Sequence, residues 1–216
     1  MSEVLRFLAL SDFGSPTPSM KSVAKAMALY ASHYPVTSIF ALGDNFYPYG
    51  VASSRDPQFV SAWKNVFLRY PSLRVPWCVV LGNHDYMGNP KAQVDFHYDT
   101  VSNEDRLWYM PDTNYKLTYA SSGEDKKAGG KPSVDIFCID TNGCQDHVRR
   151  THPEIVAQMY VSLDKLRQDL SMSSADFKIV CGHHPLYTQV SLHSNIKMHT
   201  HLLVNILTHR HTHTHT

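Results

Sequence analysis

Apolar residues in this chain fall into short runs separated by longer stretches of helical spacing. Residues 7–11, 38–42, 77–81, 115–119, 134–139 and 177–181 are apolar runs of strand length, several bounded by Gly, Pro or Asp, and they predict strands. After Asp12 comes a turn-rich stretch, Gly14-Ser15-Pro16-Thr17-Pro18. A helix follows, with Met20, Val23, Ala24, Met27, Tyr30 and Ala31 on its apolar face. Asp56 and Pro57 read as the cap and first turn of a second helix, whose face is Phe59, Trp63, Val66, Phe67 and Tyr70. A short helix is expected from 90 to about 98. Another starts at Pro153, with Val156, Met159, Leu163, Leu166 and Leu170 on one face, and a last helix-like segment covers about 198–207. The Gly- and Lys-rich stretch 123–131 reads as an exposed hairpin or loop tip. Strands alternating with helices predict an α/β protein with a mostly parallel sheet, whose ligands bind at the carboxyl ends of the strands.

Four of these runs deliver polar side chains at that end. The first leads to Asp12, the second to Gly43-Asp44-Asn45-Phe46-Tyr47, the third to Gly82-Asn83-His84-Asp85, and the last to His183 and His184. Carboxylates, an amide, a phenol and imidazoles form a mixed oxygen and nitrogen donor set, suited to iron, zinc or manganese better than to a thiolate metal. An Asp can bridge two ions, and two adjacent ions can clamp a phosphate and activate water. Each residue alone has a plainer reading: Asp and Asn often terminate strands and start turns, Tyr47 could pack with Phe46 and Tyr49, and His84 and His183 could be hydrogen-bonded core histidines.

Composition narrows the partners. The 216 residues are 43% hydrophobic and 18% charged, enough apolar sequence for one large domain with a sizeable core. A net charge of +1 gives no field for nucleic acid or an acidic membrane, and no stretch has the length of a membrane span. The expected state is a monomer. Cys78, Cys138 and Cys181 lie inside apolar runs and read as buried free thiols, with Cys144 in a loop. No signal-peptide pattern precedes the first strand and no glycosylation sequon occurs, which leans toward a reducing compartment but leaves localisation open.

In order and spacing style, Asp12-x-Gly14, Gly43-Asp44-x-x-Tyr47, Gly82-Asn83-His84-Asp85 and Val180-x-x-His183 resemble four of the five metal motifs of purple acid phosphatases. Those enzymes belong to the calcineurin-like metallophosphoesterase superfamily, and the resemblance is to the small, tartrate-resistant type. Asp56-Pro57-Gln58-Phe59, Trp108-Tyr109-Met110-Pro111 and Ile139-Asp140-Thr141 add to it, and it runs from about Arg6 to about Leu207. Most superfamily members carry Asp-x-His in the first motif. Here Asp12-Phe13-Gly14 lacks that His and Tyr47 is present, which is the purple acid phosphatase pattern.

The resemblance implies a sandwich of two packed mixed sheets flanked by helices. It implies that Asp12 and Tyr47 hold Fe(III), that Asp44 bridges, and that Asn83 and His183 hold a divalent ion (Fe, Zn or Mn). His84 would position phosphate or protonate the leaving group, and His193 falls about where the family has another substrate-pocket His. The implied activity is acid hydrolysis of a small phosphomonoester or a phosphoprotein. A non-catalytic scaffold or membrane-associated partner of the same fold is the alternative.

The fifth family motif, Gly-His-x-His, is missing. Where relatives place it, this chain runs into His211-Thr212-His213-Thr214-His215-Thr216. The domain is therefore expected over residues 1–209, incomplete at its C-terminus, with a low-complexity tail at 210–216. The tail reads as the scar of a CA dinucleotide repeat, with adventitious metal capture, or replacement of the lost motif by His209/His211 or His211/His213, as the other readings. Loss of that motif leads to the expectation that the chain as it ends here is weakly active or inactive.

Overall fold

A computed structural model describes residues 4–119, 133–184 and, for the backbone, 205–207. The strands form two four-stranded sheets, each built from consecutive elements. The first contains β1 (Phe7–Leu10), β2 (Ser38–Leu42), β3 (Trp77–Val80) and β4 (Trp108–Tyr109), all parallel. The second contains β5 (Tyr115–Tyr119), β6 (Val134–Cys138), β7 (Phe177–Cys181) and β8 (Asn205–Leu207). In it only β6 and β7 run parallel, and the two outer pairs are antiparallel.

Strand alternation sends each strand's two faces into different cores. Ile39 and Ala41 of β2, with Trp77 and Val79 of β3, join the helices in one cluster. Their neighbours Phe40, Leu42, Cys78 and Val80 meet Val134, Ile136, Cys138 and Cys181 in the other, so this second core is the seam between the sheets. Cys78, Cys138 and Cys181 are buried free thiols in that seam, as their apolar settings predict.

The helical core is aromatic. α1 (Pro18–His33), a π-helix (Phe59–Leu68) and α2 (Lys91–Tyr98) cover the outer face of the parallel sheet. Phe59 stacks on Phe96 at 3.7 Å, with Trp63 and Trp108 edge-on around them. Thr17 caps α1 by accepting the Met20 N–H at 3.2 Å, and Pro18 begins the helix, where its missing N–H costs nothing.

Three sequence expectations change. On α1 the expected Ala24 and Ala31 are buried together with Ala28, and Met20 and Met27 pack against the core, but Val23 and Tyr30 face outward at 43% and 47% exposure. Small residues let the helix approach closely, which outweighs the size of the apolar side chains one position away. α4 (Ile155–Met172) buries only Ile155 fully, and Leu163, on its expected apolar face, is 38% exposed. A short α3 (Asp146–Thr151) precedes it, with no periodic signal in the sequence. Finally, Asn205–Leu207 pairs antiparallel with Lys178–Val180, so this part of the expected last helix is a strand. The free edge of β7 offers backbone partners that helical spacing in three residues cannot match. The rest of that expected helix, and the 123–131 loop tip, lie outside the described residues.

Candidate metal centre

Asp12, Asp44, Asn83 and His183 stand just beyond β1, β2, β3 and β7, so both sheets contribute to one site. The loops after β1 and β2 are joined by backbone hydrogen bonds from Asp12 N to Gly43 O (3.0 Å), Gly14 N to Asp44 O (3.3 Å) and Tyr47 N to Gly14 O (3.2 Å). A Cβ on Gly14 would lie 2.4 Å from Phe46 Cα. Position 14 therefore has no room for a histidine, which is the physical counterpart of its Asp-x-Gly motif. Phe13 and Phe46 are fully buried and anchor the neighbouring Asp12 and Tyr47. Asp12 and Asp44 both adopt left-handed backbone, at φ +58° and +52°. Asp tolerates that region, at a cost of about 1 kcal/mol each.

The two carboxylate oxygens of Asp44 face different partners. Oδ2 lies 2.6 Å from the Tyr47 hydroxyl, which is also 2.8 Å from Asp12 Oδ1. Ser11 donates to the other Asp12 oxygen at 2.5 Å. One phenolic proton thus serves two carboxylates. Burial first, then these carboxylates, hold the Tyr47 phenol well above the ordinary tyrosine range. A cation among these three oxygens reverses that balance and favours the phenolate.

Asp44 Oδ1 accepts the His84 N–H at 2.9 Å and lies 3.5 Å from His183 Nε2. His183 Nδ1 donates to the Leu42 carbonyl at 2.8 Å, which leaves the lone pair on Nε2 in the neutral ring. That nitrogen faces Asn83 Oδ1 at 3.3 Å. A lone pair facing two oxygens is unfavourable, and a cation between them relieves it. A ring pinned through its other nitrogen to a backbone carbonyl is also how metal-binding histidines are oriented. The close approach depends on Gly82, where a Cβ would fall 2.2 Å from both N and Oδ1 of Asp44. The donor set therefore fits metal ions. Among the described residues no trio drawn from His, Cys, Asp and Glu is gathered as for a metal.

His84 lies beside this group, its ring 4.5 Å from that of Tyr47. Its Nδ1 donates to the Pro48 carbonyl at 2.7 Å, which leaves Nε2 for a ligand. The structure thus brings Asp12, Asp44, Tyr47, Asn83, His84 and His183 together. His193 and the tail histidines 209, 211 and 213 lie outside the described residues. His184 turns to Thr141, with Nδ1 at 2.8 Å from its hydroxyl, and burial lowers its imidazole to about 3.

Two buried carboxylates support the site without having been singled out in the sequence. Asp85 accepts N–H groups from Gly82 (2.8 Å), Asn45 (3.1 Å) and Phe46 (3.3 Å) and the Gln93 amide (2.8 Å), joining the loops after β2 and β3. Burial pushes its carboxyl up to about 6 against those donors. Asp140 is held by Tyr86 and Asn142. Both acids lie within strings already noted, Gly82-Asn83-His84-Asp85 and Ile139-Asp140-Thr141, so motif membership was the available signal.

The chain belongs to the calcineurin-like phosphoesterase family, which matches residues 5–215. It is 32% identical to tartrate-resistant acid phosphatase type 5 of Sus scrofa over 198 residues, 86% of this chain and 55% of that protein. Purple acid phosphatase 7 of Arabidopsis thaliana is 30% identical over 195 residues, 85% of this chain and 54% of that protein. Among solved structures it is similar to GAP50, described as the anchor in the inner membrane complex of Plasmodium. That match has a TM-score of 0.68 and 25% identity, and covers 85% of this chain and 56% of the other. The chain spans about half the length of these relatives. No helix among the described residues is long and apolar enough to cross a membrane.

Proposed function

We propose that this chain carries the binuclear metal site of an acid phosphatase that hydrolyses small phosphomonoesters or phosphoproteins. The observation that carries this reading is the division of Asp44, with Oδ2 toward Tyr47 and Asp12 and Oδ1 toward His183. Asp12 and Tyr47 hold Fe(III), a hard trivalent ion suited to carboxylate and phenolate. Asn83 and His183 hold the divalent ion (Fe, Zn or Mn), and Asp44 spans both. Bound there, the ions supply Lewis-acid polarisation of a phosphoryl oxygen and lower the pKa of water. His84, fixed through Nδ1, orients the phosphate and, with its ring doubly protonated, delivers the Nε2 proton to the leaving oxygen and becomes neutral. His193 is a further candidate for the substrate pocket.

A scaffold or membrane-associated role is the second reading, supported by the likeness to GAP50 with its description as an anchor. Phosphate release from p-nitrophenyl phosphate by the 216-residue chain, supplied with iron and zinc, separates the two. The phosphatase reading expects weak turnover, since the Gly-His-x-His motif is missing, that Asp44→Asn abolishes. Binding of both metals without turnover, or turnover insensitive to Asp44→Asn, contradicts it and favours the scaffold.

A further inference from the structure

The turn at residues 139–142, just after β6, touches both ligand-bearing loops with alternate residues. On one side, Ile139 N donates to Cys181 O at 2.8 Å, and Thr141 Oγ1 accepts the His184 N–H at 3.1 Å. These contacts flank Gly182 and His183. On the other side, Asp140 Oδ2 accepts the Tyr86 hydroxyl at 2.5 Å, and Asn142 Nδ2 donates to Leu81 O at 3.0 Å. These contacts flank the loop that carries Asn83 and His84. Asp140 Oδ1 accepts both the N–H (2.9 Å) and the side-chain amide (2.8 Å) of Asn142, which locks the two members together. Asp140 N in turn donates to Asn114 Oδ1 at 2.9 Å. Asp140 and Asn142 are buried, as is Tyr86. Asn83 follows a strand of one sheet and His183 a strand of the other, so their separation depends on how the sheets are held at this end.

We propose that Asp140, with Tyr86 and Asn142, is a positioning group that sets the approach of Asn83 to His183 across the two sheets. The proposal rests on the reading of that pair as ligands of the divalent ion. Its distinguishing consequence is asymmetry. Backbone hydrogen bonds join the loops of Asp12 and Tyr47 to each other, and among the described residues none of these bonds runs from either loop to residues 139–142. Loosening the turn should weaken one ion and spare the other.

The test is titration of Zn(II) into the iron-loaded 216-residue chain, with the tyrosinate absorption of the first ion read in the same sample. Tyr86→Phe and Asp140→Asn should each weaken zinc by about 10- to 100-fold, the usual effect of groups that orient metal ligands, with the absorption unchanged. Asp135→Asn is the control. It breaks a comparable buried tie, to Lys116 at 2.6 Å, Thr118 at 2.7 Å and Ser173 at 2.6 Å, at the far part of β6. It should lower stability and leave zinc affinity alone. Unchanged zinc affinity in Tyr86→Phe and Asp140→Asn, or equal loss in Asp135→Asn, overturns the proposal.

Should the unaltered chain take up neither ion, the metal-site reading fails first. The turn is then judged by backbone hydrogen exchange in the metal-free chain. Tyr86→Phe should speed exchange at residues 82–86 and at 183–184 together while sparing 12–14. Faster exchange at only one of those two loops, or at neither, overturns the positioning role.

Discussion

His183 Nε2 stands 3.3 Å from Asn83 Oδ1, although 100 residues separate them and they follow strands of different sheets. Neither local sequence nor a single sheet produces that contact; it follows from packing the sheets through the seam of Phe40, Leu42, Val80, Ile136 and Cys181. The pair assigned to the divalent ion is therefore separable from the pair assigned to iron. His183→Ala should lower zinc content and keep the visible iron–tyrosinate band. Tyr47→Phe should abolish the band and keep much of the zinc. Metal analysis and an absorption spectrum on the two variants check this, and identical losses in both would contradict it.

Asp44 and His84 should fail in different ways. Asp44→Asn removes the bridging charge and should lower the content of both metals. His84→Ala should keep both metals and lose turnover by about a hundredfold or more, because general acid help is of that order. Metal content and kcat, measured together, separate the roles. Metal loss in His84→Ala equal to that in Asp44→Asn would place His84 among the ligands.

Gly82→Ala tests the close approach of the third loop to the second. Its Cβ would fall 2.2 Å from backbone and carboxylate atoms of Asp44, so the loops must move apart. Overpacking of this kind costs about 1–3 kcal/mol. Urea unfolding should show that loss, and metal content should fall with it. Wild-type stability and metal content would mean that the two loops are not in contact.

Asp140 gives a pH dependence with a definite sign. Burial raises its carboxyl above the ordinary value, against the Tyr86 hydroxyl and the Asn142 donors, which lower it. In the metal-free chain the native state therefore takes up this proton at a higher pH than the unfolded chain, which does so at about 3.9. Between those values the native state binds more protons, so falling pH adds stability through this group. Asp140→Asn lacks that gain. The stability of the unaltered chain relative to the variant should rise as pH falls from neutrality toward about 4, read by thermal unfolding. A difference that is flat or shrinks would contradict the assignment.

The clustering of the six candidate residues was legible because strand ends are legible. Short apolar runs ending in Gly-Asp or Gly-Asn-His-Asp fix where each side chain emerges, and parallel strands bring those ends to one edge. The supporting shell was less visible. Asp140 and Asn142 act through partners in another sheet, and no periodicity in their own segment reports that. On α1 the expected Met20, Ala24, Met27 and Ala31 do face the core, while Val23 and Tyr30 point outward and Ala28, with little hydrophobic signal, was missed. The strand at Asn205–Leu207 depends on the open edge of β7, a tertiary fact that three residues cannot encode.

The central claim is that Asp44 joins two ions held by different loops. Anomalous diffraction from crystals of the chain loaded with iron and zinc tests it most directly. The account predicts an iron peak bonded to Asp12, Tyr47 and Asp44, and a zinc peak bonded to Asp44, Asn83 and His183. A single ion at Asp44, or two ions that do not share that carboxylate, would contradict it.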